Sequence, residues 1–209
     1  MRPRRTIPTM PAGRDVRAPL AVACLVLALF FIPRAASALE LSRDGILHGQ
    51  CYRLLTGHLI HFTFQHLFWD LLTFIVLSLM VAGRSLNKWL ACTLGSALVI
   101  SFAVLIFQPE IALYRGLSGI DSALFATAAA MLLTEGLRHK KAILTVTAAV
   151  AIPAFIGKSI YELGTGRILF VEDLGPDVSP LVLAHLAGAA WGLLIALLPA
   201  KQNRQRRSP

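Results

Sequence analysis

Long apolar blocks are the feature that most restricts what this chain can fold into. Six occur in its 209 residues, and each approaches the roughly 20 residues that an α-helix needs to cross a bilayer. They cover residues 18–38, 62–82, 89–107, 117–133, 142–156 and 180–198. The blocks predict an all-α integral membrane protein with six spans.

Composition supports one membrane domain. Hydrophobic residues make up 56% of the chain and charged residues 15%, whereas soluble domains carry about a quarter charged residues. We expect a membrane domain over residues 18–200, preceded by a basic segment, 1–17, and followed by a basic tail, 201–209.

The net charge of +9 indicates an orientation rather than a nucleic-acid partner. Basic residues of membrane proteins collect on the cytoplasmic side. Fourteen of the 20 basic residues do so if both termini are cytoplasmic: Arg2, Arg4, Arg5, Arg14, Arg17, Arg84, Lys88, Arg138, Lys140, Lys141, Lys201, Arg204, Arg206 and Arg207. We therefore expect both termini in the cytoplasm. An alternative is that the first block and the string Ala36-Ser37-Ala38 form a cleavable signal peptide, which would leave five spans.

Residues 39–61 form the longest external segment and mix polar with apolar residues. Irregular backbone is tolerated at membrane depth only where protein covers it. The pattern predicts a partly embedded hairpin between the first two spans.

Polar side chains within spans are expensive to insert and are usually functional. Ser118 and His185 lie at the external starts of the fourth and sixth spans, so we expect them at one depth. A histidine within hydrogen-bond reach can activate a serine as a nucleophile. Gly116 and Gly119 permit close backbone approach beside a helix N-terminus, where free amides can meet negative charge. Small residues predict tight packing of the two helices: Gly119, Ala123, Gly188, Ala189 and Gly192.

Each signal is weak by itself. Gly-x-Ser-Gly is common in membrane helices, where it usually serves packing, and a lone histidine in a span serves packing about as often as function. Ser118 and His185 at one predicted depth form a stronger signal together.

Six elements, in this order, give the chain a resemblance to a known family. They are Tyr52-Arg53-Leu54-Leu55-Thr56-Gly57-His58, His61, His66-Leu67-Phe68-Trp69-Asp70-Leu71-Leu72, Gly116-Leu117-Ser118-Gly119, Lys158-Ser159-Ile160-Tyr161-Glu162 and Ala184-His185-Leu186-Ala187-Gly188. The chain resembles rhomboid intramembrane serine proteases, and more narrowly the rhombosortase subfamily of bacteria. The resemblance implies a six-helix bundle in the bacterial inner membrane, whose site opens to the periplasm.

The resemblance also implies the chemistry. Ser118 would attack the scissile carbonyl and His185 would act as general base and then general acid, as a dyad without a third acidic member. His66 and the Ser118 amide would lie near the oxyanion, with Gly116 and Asp70 supporting this region. Substrates would be single-span proteins with a Gly-rich C-terminal sorting segment. Either water or an amine-bearing membrane lipid would resolve the acyl-enzyme, and no cofactor or metal is implied.

Two positions depart from the family pattern. Asp70 stands where rhomboids carry asparagine, and an ionised aspartate can only accept hydrogen bonds. We expect Asp70 to orient His66 or to stay protonated in a low dielectric. Ser122 stands where many rhomboids place an aromatic residue against the catalytic histidine, so His185 needs another support, which the sequence does not identify.

Four further residues are predicted to support structure or substrate: Arg53, His61, Lys158 and Glu162. Lys158 and Glu162 share a helix face four residues apart, which favours a structural ion pair over a contact with substrate or a lipid head group. Arg53 would hold the external segment in place or contact phosphate.

Two other functions stay open. One is an inactive rhomboid relative that binds membrane proteins, although this chain keeps both the serine and the histidine. The other is a metal or haem protein that uses His58, His61, His66 and Asp70. The histidine spacings do not place all three rings on one helical face, which argues against it.

Overall fold

The computed structural model describes residues 16–167, 169 and 181–199. This part of the chain is mostly helical, as predicted. The basic tail 201–209 and most of the basic segment 1–17 lie outside the described residues.

Within the described residues, four helices are long and apolar enough to cross a membrane. They are α5 (Phe64–Ala82), α6 (Leu86–Phe107), α7 (Ser118–His139) and α8 (Ala142–Thr165). Large apolar side chains face outward on all four, and α8 exposes Ile143, Val146, Val150, Ile160 and Leu163. Exposed apolar side chains on several helices are expected where lipid rather than water contacts the protein, so the chain is a multi-pass membrane protein.

Two further apolar helices are shorter: α1 (Arg17–Phe31) and α9 (Val182–Leu197). At 1.5 Å per residue, the 15 residues of α1 extend only about 22 Å. The predicted first block, 18–38, is interrupted because Pro33 lacks an amide donor and Arg34 has a φ of 65°. A short helix, α2 (Ala35–Leu39), follows the break.

Helices α7 and α8 extend beyond the ends of their predicted blocks. The block at 117–133 forms a helix that ends at His139, and the block at 142–156 forms one that ends at Thr165. Pro153 lies inside α8 without ending it. The helix stops where Gly166 adopts a φ of 65°, a left-handed conformation that glycine accepts without strain.

The segment between α1 and α5 is a series of short helical turns rather than a simple hairpin. It contains β1 (Leu41–Ser42), α3 (Arg43–Leu47), α4 (Arg53–Thr56) and a 3₁₀ turn at Gly57–Leu59. β1 pairs antiparallel with β2 (Leu113–Tyr114), in the register Leu41 to Tyr114 and Ser42 to Leu113. This pairing ties the segment to the chain just before α7.

Glycines bring α7 and α9 into backbone contact. A Cβ atom at Gly188 would overlap the carbonyl of Gly119, and one at Gly192 would overlap the carbonyl of Ala123. Thr127 reinforces the contact, since its hydroxyl donates to the Gly192 carbonyl at 2.9 Å. The tight packing predicted from small residues is therefore present.

Candidate active site

Ser118 and His185 meet where α7 and α9 begin. Ser118 is the first residue of α7, and His185 lies in the first turn of α9. The Ser118 Oγ and His185 Nε2 atoms are 3.1 Å apart, which is hydrogen-bond distance. His185 is buried, whereas Ser118 is partly exposed. This geometry allows the imidazole to take the serine proton while the hydroxyl stays accessible.

Glu162 covers the other nitrogen of the His185 ring. Its Oε2 lies 3.2 Å from His185 Nδ1, and its Oε1 lies 2.7 Å from Lys158 Nζ. The predicted pair of Lys158 and Glu162 is present, and Glu162 also lies beside His185, whose support the sequence did not identify. Because α8 extends beyond its predicted end, its last turn brings Glu162 beside the first turn of α9.

Asp70 caps the start of α7 from the neighbouring helix α5. Its Oδ2 accepts the backbone amides of Leu117 and Ser118 at 3.0 and 3.1 Å. The first amides of a helix lack intrahelical partners and favour negative charge, so a carboxylate here is well placed. Asp70 therefore does more than orient His66.

Two histidines surround the same Asp70 oxygen. His61 Nε2 lies 3.3 Å and His66 Nε2 lies 3.1 Å from Oδ2. Burial is the main cause that holds the pKa of His61 below its usual value, and this favours the neutral ring. Gly116 makes room for the cluster, because a Cβ there would lie 2.8 Å from His66 Nε2, and its φ of 124° suits glycine alone.

His61, His66 and Asp70 could together hold a metal ion. One ligand atom from each lies within 4.8 Å of the others. The comparison of helical faces does not apply to His61, because this residue precedes α5 and the chain bends at residues 62 and 63. His58 lies elsewhere: its Nε2 is 2.9 Å from the Ala97 carbonyl and 3.1 Å from Ser101 Oγ.

Arg53 holds the segment between α1 and α5 together by hydrogen bonds. Its guanidinium donates to the carbonyls of Ser37 and Glu40 at 3.1 and 2.7 Å, and its Nε donates to Gln50 Oε1 at 2.6 Å. The residue is buried. Of the two roles predicted for Arg53, these contacts favour structural support.

The sequence analysis missed Asp121, which is buried in the first turn of α7. An ionisable residue inside a predicted span was the available signal.

Comparisons with known proteins find a matching family model and a similar protein. A family model described as the rhomboid domain matches residues 48–202. A Bacillus subtilis (strain 168) protein named "Putative rhomboid protease YdcA" is 27% identical over 169 residues, which cover 78% of this chain and 74% of that protein. The range matched by the family contains Ser118, Glu162 and His185.

Proposed function

The chain belongs to the rhomboid family, and its similarity to a named rhomboid protease supports intramembrane protease activity; from this premise we propose that it is a serine endopeptidase in which Ser118 is the nucleophile and His185 the general base. The observation that carries the proposal is the 3.1 Å contact between Ser118 Oγ and His185 Nε2. In this reaction the Ser118 Oγ bonds the scissile carbonyl carbon as its proton passes to Nε2. His185 then returns that proton to the leaving amine.

The proposed fold has six spans. The four long helices would be joined by α1 and α9, whose apolar faces are shorter than a full crossing and fit a locally thin bilayer. An even number of spans would put both termini on one side of the membrane, and the distribution of basic residues supports the cytoplasmic side of a bacterial inner membrane. The short turns between α1 and α5 would lie at the external interface beside the site.

The proposed substrates are single-span membrane proteins whose C-terminal sorting segment is rich in glycine. Their support is the resemblance to rhombosortases in the motifs around Ser118, Lys158 and His185. Glycine has a low helix propensity, so a glycine-rich stretch leaves a helix at little cost in free energy. Such a stretch suits attack by a nucleophile at a helix start. Water or an amine-bearing lipid would then release the acyl group.

Labelling with a fluorophosphonate probe in detergent micelles tests the nucleophile and base. We expect labelling of the wild type and loss of labelling in Ser118→Ala and His185→Ala. Matched controls are Ser122→Ala, one turn further along α7, and His139→Ala at the far end of that helix. Equal labelling of all five proteins would reject the proposal, and so would a wild type that resists the probe and leaves single-span substrates intact.

A second function rests on the cluster of His61, His66 and Asp70, whose atoms fit a metal ion by number and spacing. Elemental analysis of purified protein separates it from the first. A metal protein would be favoured by two results together: one equivalent of metal that is lost in His61→Ala, and fluorophosphonate labelling that persists in Ser118→Ala. An inactive relative would give neither metal nor labelling.

A further inference from the structure

The Nδ1 side of His185 faces a carboxylate from a third helix. Ser118 Oγ lies 3.1 Å from Nε2, and Glu162 Oε2 lies 3.2 Å from Nδ1. The serine, the imidazole and the carboxylate thus come from α7, α9 and α8 in turn. Ser-His-Asp and Ser-His-Glu sites on unrelated folds share this order of groups.

Burial distinguishes Glu162 from a surface ion-pair partner. The residue is 1% exposed, and the nearby Lys158 side chain is 26% exposed. An exposed pair one helical turn apart contributes only about 0.3–0.5 kcal/mol and has no need of burial. A buried carboxylate needs partners for both oxygens, and here Lys158 meets one while His185 meets the other.

The tautomer of the His185 imidazole also requires a partner, in this case an acceptor at Nδ1. Nε2 can accept the Ser118 proton only if the ring proton sits on Nδ1, and that tautomer is favoured when Nδ1–H faces an acceptor. The Nδ1 atom is buried, and among the described residues it has no aligned hydrogen-bond partner. Glu162 Oε2 is also without an aligned partner in this part of the chain, and the two atoms lie 3.2 Å apart. Catalytic hydrogen bonds are often poorly aligned before substrate binds.

We propose that Glu162 is a positioning residue that acts through His185, so that the site is a Ser118–His185–Glu162 triad. The inference rests on the proposed protease function and deepens it. When Ser118 Oγ bonds the carbonyl carbon, its proton moves to Nε2 and the carbonyl electron pair moves to oxygen. The ring then carries both protons and a positive charge. Glu162 stays ionised, accepts Nδ1–H and stabilises that charge until Nε2 returns its proton to the leaving amine.

The test is the rate of fluorophosphonate labelling as a function of pH. The variant Glu162→Gln keeps the shape of the side chain and removes its charge, and Glu162→Asp restores a charge on a shorter side chain. Glu135→Gln is the matched control, because Glu135 also pairs with basic residues but does so at the far end of α7. Lys158→Met removes one partner of Glu162 and keeps the other, His185, so it tests the two contacts separately.

We expect Glu162→Gln to label roughly 10²-fold or more slowly than the wild type, with partial recovery in Glu162→Asp. The acidic limb of its pH profile should move to lower pH, because the imidazolium has lost its anionic neighbour. The side chains that meet the imidazole are Ser118 and Glu162, with Lys158 behind Glu162. Glu135→Gln should match the wild type, and Lys158→Met should lose far less than Glu162→Gln.

Two results would overturn the triad: a Glu162→Gln variant that matches the wild type in rate and profile, or a Lys158→Met variant that is equally slow. The second would make Glu162 a structural ion-pair partner only. If Glu162→Gln fails to fold, the double variant Lys158→Met/Glu162→Gln removes both members of the ion pair, and a rate and pH profile that match those of Lys158→Met alone overturn the triad. Labelling that persists in Ser118→Ala would instead reject the protease function itself. Failure of the triad and failure of the protease function are therefore distinguishable.

Discussion

The backbone amide of Ser118 donates a hydrogen bond of 3.1 Å to Asp70 Oδ2. A carboxylate oxygen therefore lies against the amide that rhomboid chemistry assigns to the oxyanion. The same oxygen lies 3.1 Å from His66 Nε2, the other expected donor. An oxyanion that develops here would meet a like charge unless Asp70 is protonated or turns away.

Removal of that charge should preserve the fold and favour acylation. In Asp70→Asn the amide oxygen still accepts from Leu117 and Ser118, while the side chain no longer repels an oxyanion. We expect it to label with fluorophosphonate at least as fast as the wild type. Asp70→Ala should lose about 2 kcal/mol or more of unfolding free energy, because buried amides lose their acceptor. Complete unfolding of Asp70→Asn would show that Asp70 is mainly structural.

A methyl group at Gly188 should separate the nucleophile from the base. Gly188→Ala would overlap the Gly119 carbonyl, which is backbone and cannot rotate aside. We expect a loss of about 1–3 kcal/mol in stability and a large loss of labelling. Gly157→Ala is the matched control: it lies within α8, nothing lies within 4 Å of the added Cβ, and it should stabilise the helix slightly. Equal stability of both variants, measured by thermal unfolding in detergent, would contradict the close contact.

Loss of the Arg53 guanidinium should destabilise the external segment. Arg53→Met leaves the carbonyls of Ser37 and Glu40 without this donor and should lower unfolding free energy by about 2–3 kcal/mol. The free energy of unfolding of Arg53→Lys should lie between those of the wild type and Arg53→Met. If Arg53 instead contacts lipid phosphate, Arg53→Met would keep its thermal stability and lose only its response to anionic lipid.

Cysteine accessibility tests the proposed orientation. Cys51 is exposed in the segment between α1 and α5, and Cys92 is buried in α6. In intact spheroplasts, a membrane-impermeant maleimide should label a variant that keeps only Cys51, and should spare one that keeps only Cys92. Glu135→Cys in a cysteine-free background should react only after permeabilisation. The reverse pattern for Cys51 and Glu135→Cys would place the site on the cytoplasmic side.

The contact between Ser118 and His185 was predictable because it depends on local signals. Two helix starts at one depth and glycines at regular spacing suffice to bring the side chains together. The role of Glu162 was hidden because Lys158, one turn earlier, already accounted for its charge. Its second contact joins two helices and depends on how far α8 extends beyond Pro153. No local pattern sets that distance.

His61 illustrates a second limit. Arguments from helical faces apply only within a helix, and His61 lies three residues before α5 begins. Its approach to Asp70 depends on the bend of the chain at residues 62 and 63. Thr63 then caps α5 by accepting the His66 amide. Tertiary placement of that turn, rather than residue spacing, forms the cluster.

The backbones of α7 and α9 lie directly against each other at Gly188 and Gly192, so the helices of Ser118 and His185 are closely packed. Glu162 belongs to α8, whose surface is largely bare of protein. Any sideways opening that admits a substrate helix by displacing α8 would preserve the distance from hydroxyl to imidazole and break the contact from imidazole to carboxylate. Reclosure around a bound chain would restore it, so entry through that side would link the contact between His185 and Glu162 to occupancy of the site.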